Sequence, residues 1–367
     1  MKNNLFLYIK PKGSAKFLQL STVFFCVLIL LFKLLLLWQP ERIFNFSTFC
    51  FCTIGLQLQH LTGLFSFSIG DLFYISILLI FLFGIFKLFH PKTSTNQKII
   101  TLWASLLMVT SLYAVFFVNW SLNYQKNSLA QQEDTHVINE SDLIHYTLGL
   151  LSILNELDST TLNQQPLTTK EIYNEARASY LHYDPHIEEL LPSIPKSSSI
   201  STLLSYMGYG GYYNPFTHEA QVNAKLPHFR LGTVATHEIA HQLGIAPEDQ
   251  ANFIGIYIAM KSENKSLRYD ANLSALLYCL NDIYQIDREL YQDLSECIPE
   301  YATNQWKEMN QFWNTYKNHL EPLFKKGFDL FLKSNRQKQG IKSYQQVTKH
   351  LIRAEKYDWA PKFGLCN

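Results

Sequence analysis

Thr236-His237-Glu238-Ile239-Ala240-His241-Gln242-Leu243-Gly244-Ile245-Ala246-Pro247-Glu248 is the stretch on which the reading of this chain turns. On a helix, residues four apart differ by about 40° in direction, so the imidazoles of His237 and His241 leave one face with Glu238 beside them. This is H-E-x-x-H, the pattern by which zinc peptidases grip their ion and activate water. A catalytic zinc normally takes three protein ligands and keeps one position open. Gly244 can adopt a left-handed conformation and end the first helix, and Pro247 suits the first position of another. The chain then turns back, and Glu248 faces the two histidines.

A metzincin would need a histidine where Pro247 stands, so that arrangement is excluded. Glu248, Ala251 and Asn252 instead resemble the Glu-x-x-Ala-Asp or Glu-x-x-Ala-Asn segment of gluzincins, whose glutamate binds zinc and whose last residue orients a ligand histidine. Asn252 lies one turn after Glu248 and is expected to do the same. Helix dipoles also favour acidic residues in a first turn, which explains Asp249 without a metal. Asp249, His228, His218 and Glu219 therefore stay open as alternatives to Glu248. With Zn²⁺ as cofactor, Glu238 is the expected general base. Ala220 to Asn223 is the expected strand edge for a peptide substrate, and Arg268 or Tyr269 is a candidate for stabilising the oxyanion.

Outward from the motif, charge is distributed unevenly. Of 61 Lys, Arg, Asp and Glu residues only eleven precede Gln125, although the chain as a whole is 47% hydrophobic and carries a net charge of +1. Three stretches, about 17–38, 72–89 and 99–122, reach the roughly 20 apolar residues that cross a bilayer. Lys33 sits near enough to Trp38 to snorkel outward, and Trp103 and Trp120 flank the third span. Lys2, Lys10, Lys12 and Lys16 before the first span, with Lys87, Lys92 and Lys98 around the second connection, place the N-terminus in the cytoplasm. Phe44 to Phe67 reads as an outer interfacial helix. The expected division is a membrane domain over 1–124 and an extracytoplasmic domain over 125–367. Near-neutral charge excludes nucleic acid as a partner. The polar stretch Lys225 to Arg230 before the motif rules out intramembrane proteolysis, and three spans without internal symmetry argue against a transporter.

Asn123 to Thr135 reads as a linker. Helices follow over Asp142 to Leu157 and, after the capping pattern of Thr168 and Glu171, to Tyr180. Pro192, Pro195 and Ser197 to Ser199 mark a break, and Tyr206 to Asn223 is the one strand region. Trp306, Met309, Trp313, Tyr316 and Leu320, continued by Phe324, Phe328 and Phe331, form an apolar stripe expected to pack in the core. The six cysteines include no C-x-x-C pair. Cys50, Cys52, Cys279, Cys297 and Cys366 fall in or near the outer part, where disulfides are possible and buried thiols equally so.

Further stretches carry a resemblance along nearly the whole chain. They are His60-Leu-Thr-Gly-Leu-Phe-Ser-Phe-Ser-Ile-Gly-Asp71, Trp120-Ser-Leu-Asn-Tyr124, Gly211-Tyr-Tyr-Asn-Pro-Phe-Thr217, Thr236 to Gly244, Glu248-Asp-Gln-Ala-Asn-Phe253, and Leu332-Lys-Ser-Asn335 with Gly340-Ile-Lys-Ser-Tyr344. Together they resemble the bacterial membrane-protein family named domain of unknown function 3810, with departures at Gln250, His218 and Ser66. The resemblance implies three N-terminal transmembrane helices followed by a mostly α-helical α+β, zincin-like domain, with a small β-sheet or hairpin beside the H-E-x-x-H helix. It implies His237, His241 and Glu248 as metal ligands and Glu238 as base. The resulting expectation is a membrane-anchored zinc peptidase acting on a peptide or protein outside the cytoplasm. The competing expectation is an inactive zincin-like protein serving envelope maintenance or membrane interaction.

Overall fold

The computed structural model describes residues 13–125, 138–161, 166–190, 193–335, 337, 340 and 346–357. Lys2, Lys10, Lys12, the stretch from Lys126 to Thr135, Pro192, Ile341 to Tyr344 and Cys366 lie outside them. Three helices are long and apolar enough to cross a membrane: α1 (Gly13–Trp38), α4 (Ile69–Phe89) and α5 (Thr95–Asn119). The second and third spans begin three and four residues earlier than their apolar runs, because the caps are polar: Ser68 accepts from Asp71 N, and Ser94 with Gln97 closes a capping box. The third span also ends earlier, at Asn119, so Trp120 and Leu122 lie beyond it. Lys33 of α1 approaches the rings of Tyr113 and Phe117 on α5, 5.3 and 5.7 Å from their centroids.

The connection between the first two spans is α2 (Pro40–Cys50), one π-helical turn (Phe51–Gly55) and α3 (Leu56–Gly63). It does more than lie on a membrane surface. Gln59 Nε2 donates to Gln242 O (3.3 Å), and Thr62 Oγ1 donates to Thr217 O (3.2 Å). The loop that follows is tied in by Lys196, whose ammonium donates to Thr62 O, Phe67 O and the Glu219 carboxylate, the last at 2.5 Å. Glu219 also accepts from the backbone N–H of Ile69 and Gly70 at the start of α4. Asp71, fully buried, accepts from Ser198, Ser199 N and the Tyr212 hydroxyl. A buried carboxylate is tolerated only when so satisfied.

The C-terminal part is built on α6 (Glu140–Thr161), α7 (Thr169–Tyr183), α9 (Arg230–Gln242), α10 (Glu248–Met260) and α11 (Lys265–Ile286), whose apolar faces share one core with Tyr180, Ile239, Ile254, Leu276 and Leu351 among its members. Around it run α8 (Ser201–Met207), α12 (Arg288–Glu296), α13 (Glu300–Tyr316), α14 (Glu321–Ser334) and α15 (Gln346–Lys356). A three-stranded sheet lies against α9: β1 (Lys196–Ser197), β2 (Gly211–Asn214) and β3 (Glu219–Val222), in the order β1-β3-β2. β3 pairs parallel with β1 and antiparallel with β2.

This order corrects two expectations. The break around Pro195 and the serine run contains a strand, because Lys196 is held by its buried ion pair and Ser198 N donates to Val222 O. Ala220 to Val222 is consequently central, flanked on both sides, with Asn223 just past its end, and β1 and β2 are the two edges. Nor is Asn123 a linker residue. Ser121–Gln125 forms a 3₁₀ turn in which Leu122, Asn123 and Tyr124 are buried, as is Trp120 just before it, and the Ser121 hydroxyl donates to Asn335 Oδ1.

Candidate metal centre

Helix α9 ends as the sequence predicts. Gly244 takes φ +88°, and Ile245 N reaches back to Ala240 O (3.1 Å), the wide bond of a Schellman closure. The chain reverses over Ala246 and Pro247, which is the N-cap of α10 rather than its first residue, and Glu248 begins the helix. Gly255 on α10 lies directly against the backbone of α9 at His237. The close crossing and the tight turn together bring the three side chains to one point.

His237 Nε2 stands 3.6 Å from Glu248 Oε2 and His241 Nε2 stands 3.7 Å from Glu248 Oε1. The two imidazole centroids are 4.6 Å apart with their planes nearly perpendicular. Glu238 offers a carboxylate oxygen within 4.8 Å of the histidine nitrogens. These separations are too long for hydrogen bonds. Donors bonded at 2.0–2.2 Å to a tetrahedral ion stand roughly 3.4 Å from one another, so the spacing fits such an ion. The tautomer fits as well: His241 Nδ1 lies 2.7 Å from Ile245 O and donates to it, which leaves Nε2 a lone-pair acceptor aimed at Glu248. Burial pushes His241 down to about 4 and holds His237 well below its ordinary value, so both rings are neutral ligands in form. Burial and the nearby Glu248 raise the Glu238 carboxyl well above the usual range.

The alternatives to Glu248 are engaged elsewhere. Glu219 pairs with Lys196. The ring of His218 is bonded through Nδ1 to the Tyr213 hydroxyl (2.7 Å) and packs against Phe51 and the backbone of Gly55. Asp249 faces His350, with Nε2 3.6 Å away, and His228 is exposed. Asn252 departs from expectation. Its Nδ2 donates to the Glu248 carbonyl (2.7 Å) within its own helix, so it lines the cavity without holding a histidine. Tyr269 is wholly buried against Tyr301 and Arg268 is off the cavity, so neither can reach an oxyanion.

A cavity of about 760 Å³ opens in front of the histidines. β2 forms one wall, and a Cβ on Gly211 would stand 2.7 Å from Glu238 Oε1 and 2.6 Å from Gln221 O, so only glycine lets the strand approach the base this closely. Trp120 packs on Tyr213 at 4.5 Å and edge-on to His241 at 5.5 Å. The stripe expected in the core does pack there in part, Trp306 and Trp313 against the main core and Phe328 and Phe331 against a smaller cluster, but these residues and Met309 also form the opposite wall of the cavity, while Leu320 is exposed between α13 and α14. Helical periodicity reveals which face is apolar, not whether it meets core or cavity. Arg230 and Tyr278 also line it and carried no motif of their own, although Arg230 sits on the same face of α9 as His237.

No curated protein and no solved structure matches this chain. A family model does, over residues 46–352, from within α2 to the last described helix, and the segments it embraces include Trp120 to Tyr124, Gly211 to Thr217 and the α9–α10 turn, which converge on the cavity. The chain therefore belongs to the family described as protein of unknown function DUF3810.

Proposed function

We propose that this chain is a membrane-anchored, zinc-dependent peptidase of gluzincin-like design, acting on a peptide or protein segment outside the cytoplasm. The observation that carries the reading is the convergence of His237 Nε2, His241 Nε2 and the Glu248 carboxylate, with Glu238 alongside. Those three residues would hold the ion. When bound, zinc supplies a polarised carbonyl and a water whose pKa falls to about 7. Glu238, buried and with a raised affinity for protons, is placed to take the proton from the attacking water and hand it to the leaving amine. The β2 edge, running past Glu238, is suited to aligning an extended substrate by backbone hydrogen bonds.

Location has its own support. The lysine distribution favours a cytoplasmic N-terminus, and Cys52, just beyond the first span, is disulfide-bonded, as suits an oxidising compartment, whereas Cys26, Cys50, Cys279 and Cys297 are free. Phe116 and Trp120, at the end of α5, line the cavity, so a substrate would be met close to the membrane surface.

The test is Glu238→Gln in the full-length protein. One equivalent of zinc should be retained while hydrolysis of a peptide library falls by several orders of magnitude. Zinc binding with no hydrolysis by the unmodified protein would instead favour a metal-stabilised, inactive relative.

A further inference from the structure

The cavity contains a cation that hydrolysis itself does not require. Arg230 opens α9 seven residues before His237, two helical turns away and on the same face, and both residues line the cavity. Its guanidinium donates from Nη1 to Ser274 Oγ on α11. It forms no ion pair among the described residues. The carboxyl most influenced by it, Asp270, is itself held above its usual range by burial, with Arg230 pulling the other way. No carboxylate stands at ion-pair distance from the guanidinium among the described residues, and Arg230 lines the cavity, where a ligand can reach it.

The neighbours suit an anion. Ser274, Tyr278 and Asn281 stand at intervals of four and three residues along α11, so they share a face, and all three line the cavity with Arg230. The Ser274 hydroxyl accepts from Arg230 and donates to Asp270 O, so it holds the guanidinium in place, while the planar fork of donors, a phenol and an amide are the set that grips a carboxylate at two oxygens. Seven residues of helix span about 10 Å. An extended peptide covers that length in about three residues.

We propose that Arg230, positioned by Ser274, forms with Tyr278 and Asn281 a subsite for a carboxylate on the substrate, about three residues from the bond that the histidines and Glu238 address. The inference rests on the peptidase reading for what lies at the other end of the cavity. The carboxylate can be a chain terminus, making the activity a trimming of C-terminal ends, or the side chain of Glu or Asp, making it an internal preference.

Binding, rather than turnover, is the appropriate readout. Four versions of one hexapeptide are titrated into full-length, zinc-loaded protein carrying Glu238→Gln: C-terminal acid or amide, each with Glu or Gln at the fifth position. The expected result is that one carboxylate, terminal or side-chain, tightens binding about 10- to 100-fold, the worth of a charge-assisted bidentate contact. Arg230→Gln in that background should abolish the discrimination and Arg230→Lys should keep part of it. Equal binding of all four peptides overturns the subsite, as does discrimination that survives Arg230→Gln. If Arg230→Gln fails to fold, the four-peptide comparison on protein with Arg230 intact still decides. Carboxylate preference with no hydrolysis by the unmodified enzyme would sink the peptidase reading and leave this site standing.

Discussion

Gly255 touches His237 backbone to backbone: a Cβ on Gly255 would lie 2.8 Å from the His237 amide nitrogen and 2.9 Å from its Cα. The crossing of α9 and α10 is therefore tight at His237, and Gly255 helps to set how near α10, which carries Glu248, comes to both imidazoles. Gly255→Ala must push the helices apart, since backbone atoms cannot swing aside. Overpacking of this kind costs about 1–3 kcal/mol. The expected outcome is a lower unfolding midpoint together with weaker zinc affinity, measured by denaturant titration and by competition with a chelator.

Gly211→Ala separates positioning from metal binding. The added methyl would first meet Gln221 O and Glu238 Oε1. Zinc content should stay at one equivalent while kcat falls by about 100-fold, the effect of displacing a reacting group by roughly 1 Å. Unchanged kcat would mean that Glu238 is not the base.

Asn252→Ala tests the departure from the gluzincin pattern. A residue that orients a ligand histidine typically contributes 10- to 100-fold to metal affinity. Here the amide of Asn252 is spent on the Glu248 carbonyl and the His241 ring is fixed by Ile245 O. Zinc affinity is expected to change by less than about threefold against that range.

Acid should loosen the contact between the 40–63 segment and the sheet. Burial lowers His218 to about 4, against about 6.5 for an unfolded histidine. The folded value is the depressed one, so the unfolded chain binds the proton first. Stability from this group is complete above pH 6.5 and is lost as pH falls towards 4, by up to about 3 kcal/mol. His218 has φ +54°, and asparagine tolerates that region. The difference in unfolding free energy between unmodified protein and His218→Asn should therefore vary with pH across 4–6.5 and be flat above it. A constant difference would show that His218 is not the group titrating.

Much of this architecture is legible in the chain because it depends on local spacing. Three apolar runs specify three spans, and His237 and His241 share a helix face by arithmetic alone. Gly244 announces its turn, and Glu248 follows at the length that turn requires. The rest depends on partners distant in sequence. β1 is two residues long and exists because Lys196 finds Glu219 and β3 is there to pair with, so no propensity could reveal it. Asn252 has the right type and spacing, yet a carbonyl in its own helix competes successfully for its amide. The stripe of Trp306, Met309 and Trp313 is indistinguishable in period from a core face, and only the placement of α9 and β2 opposite it leaves a cavity between. Arg230 stands seven residues before His237, an interval that places it on the cavity side, but its companions Ser274, Tyr278 and Asn281 are visible only once α11 is in place.

X-ray absorption at the zinc edge of the full-length protein tests the centre most directly. The expected spectrum has two imidazole nitrogens and at least one carboxylate oxygen at about 2.0–2.2 Å, with the oxygen contribution reduced in Glu248→Ala. A spectrum with sulfur at about 2.3 Å, or one in which removing Glu248 changes nothing, would contradict it.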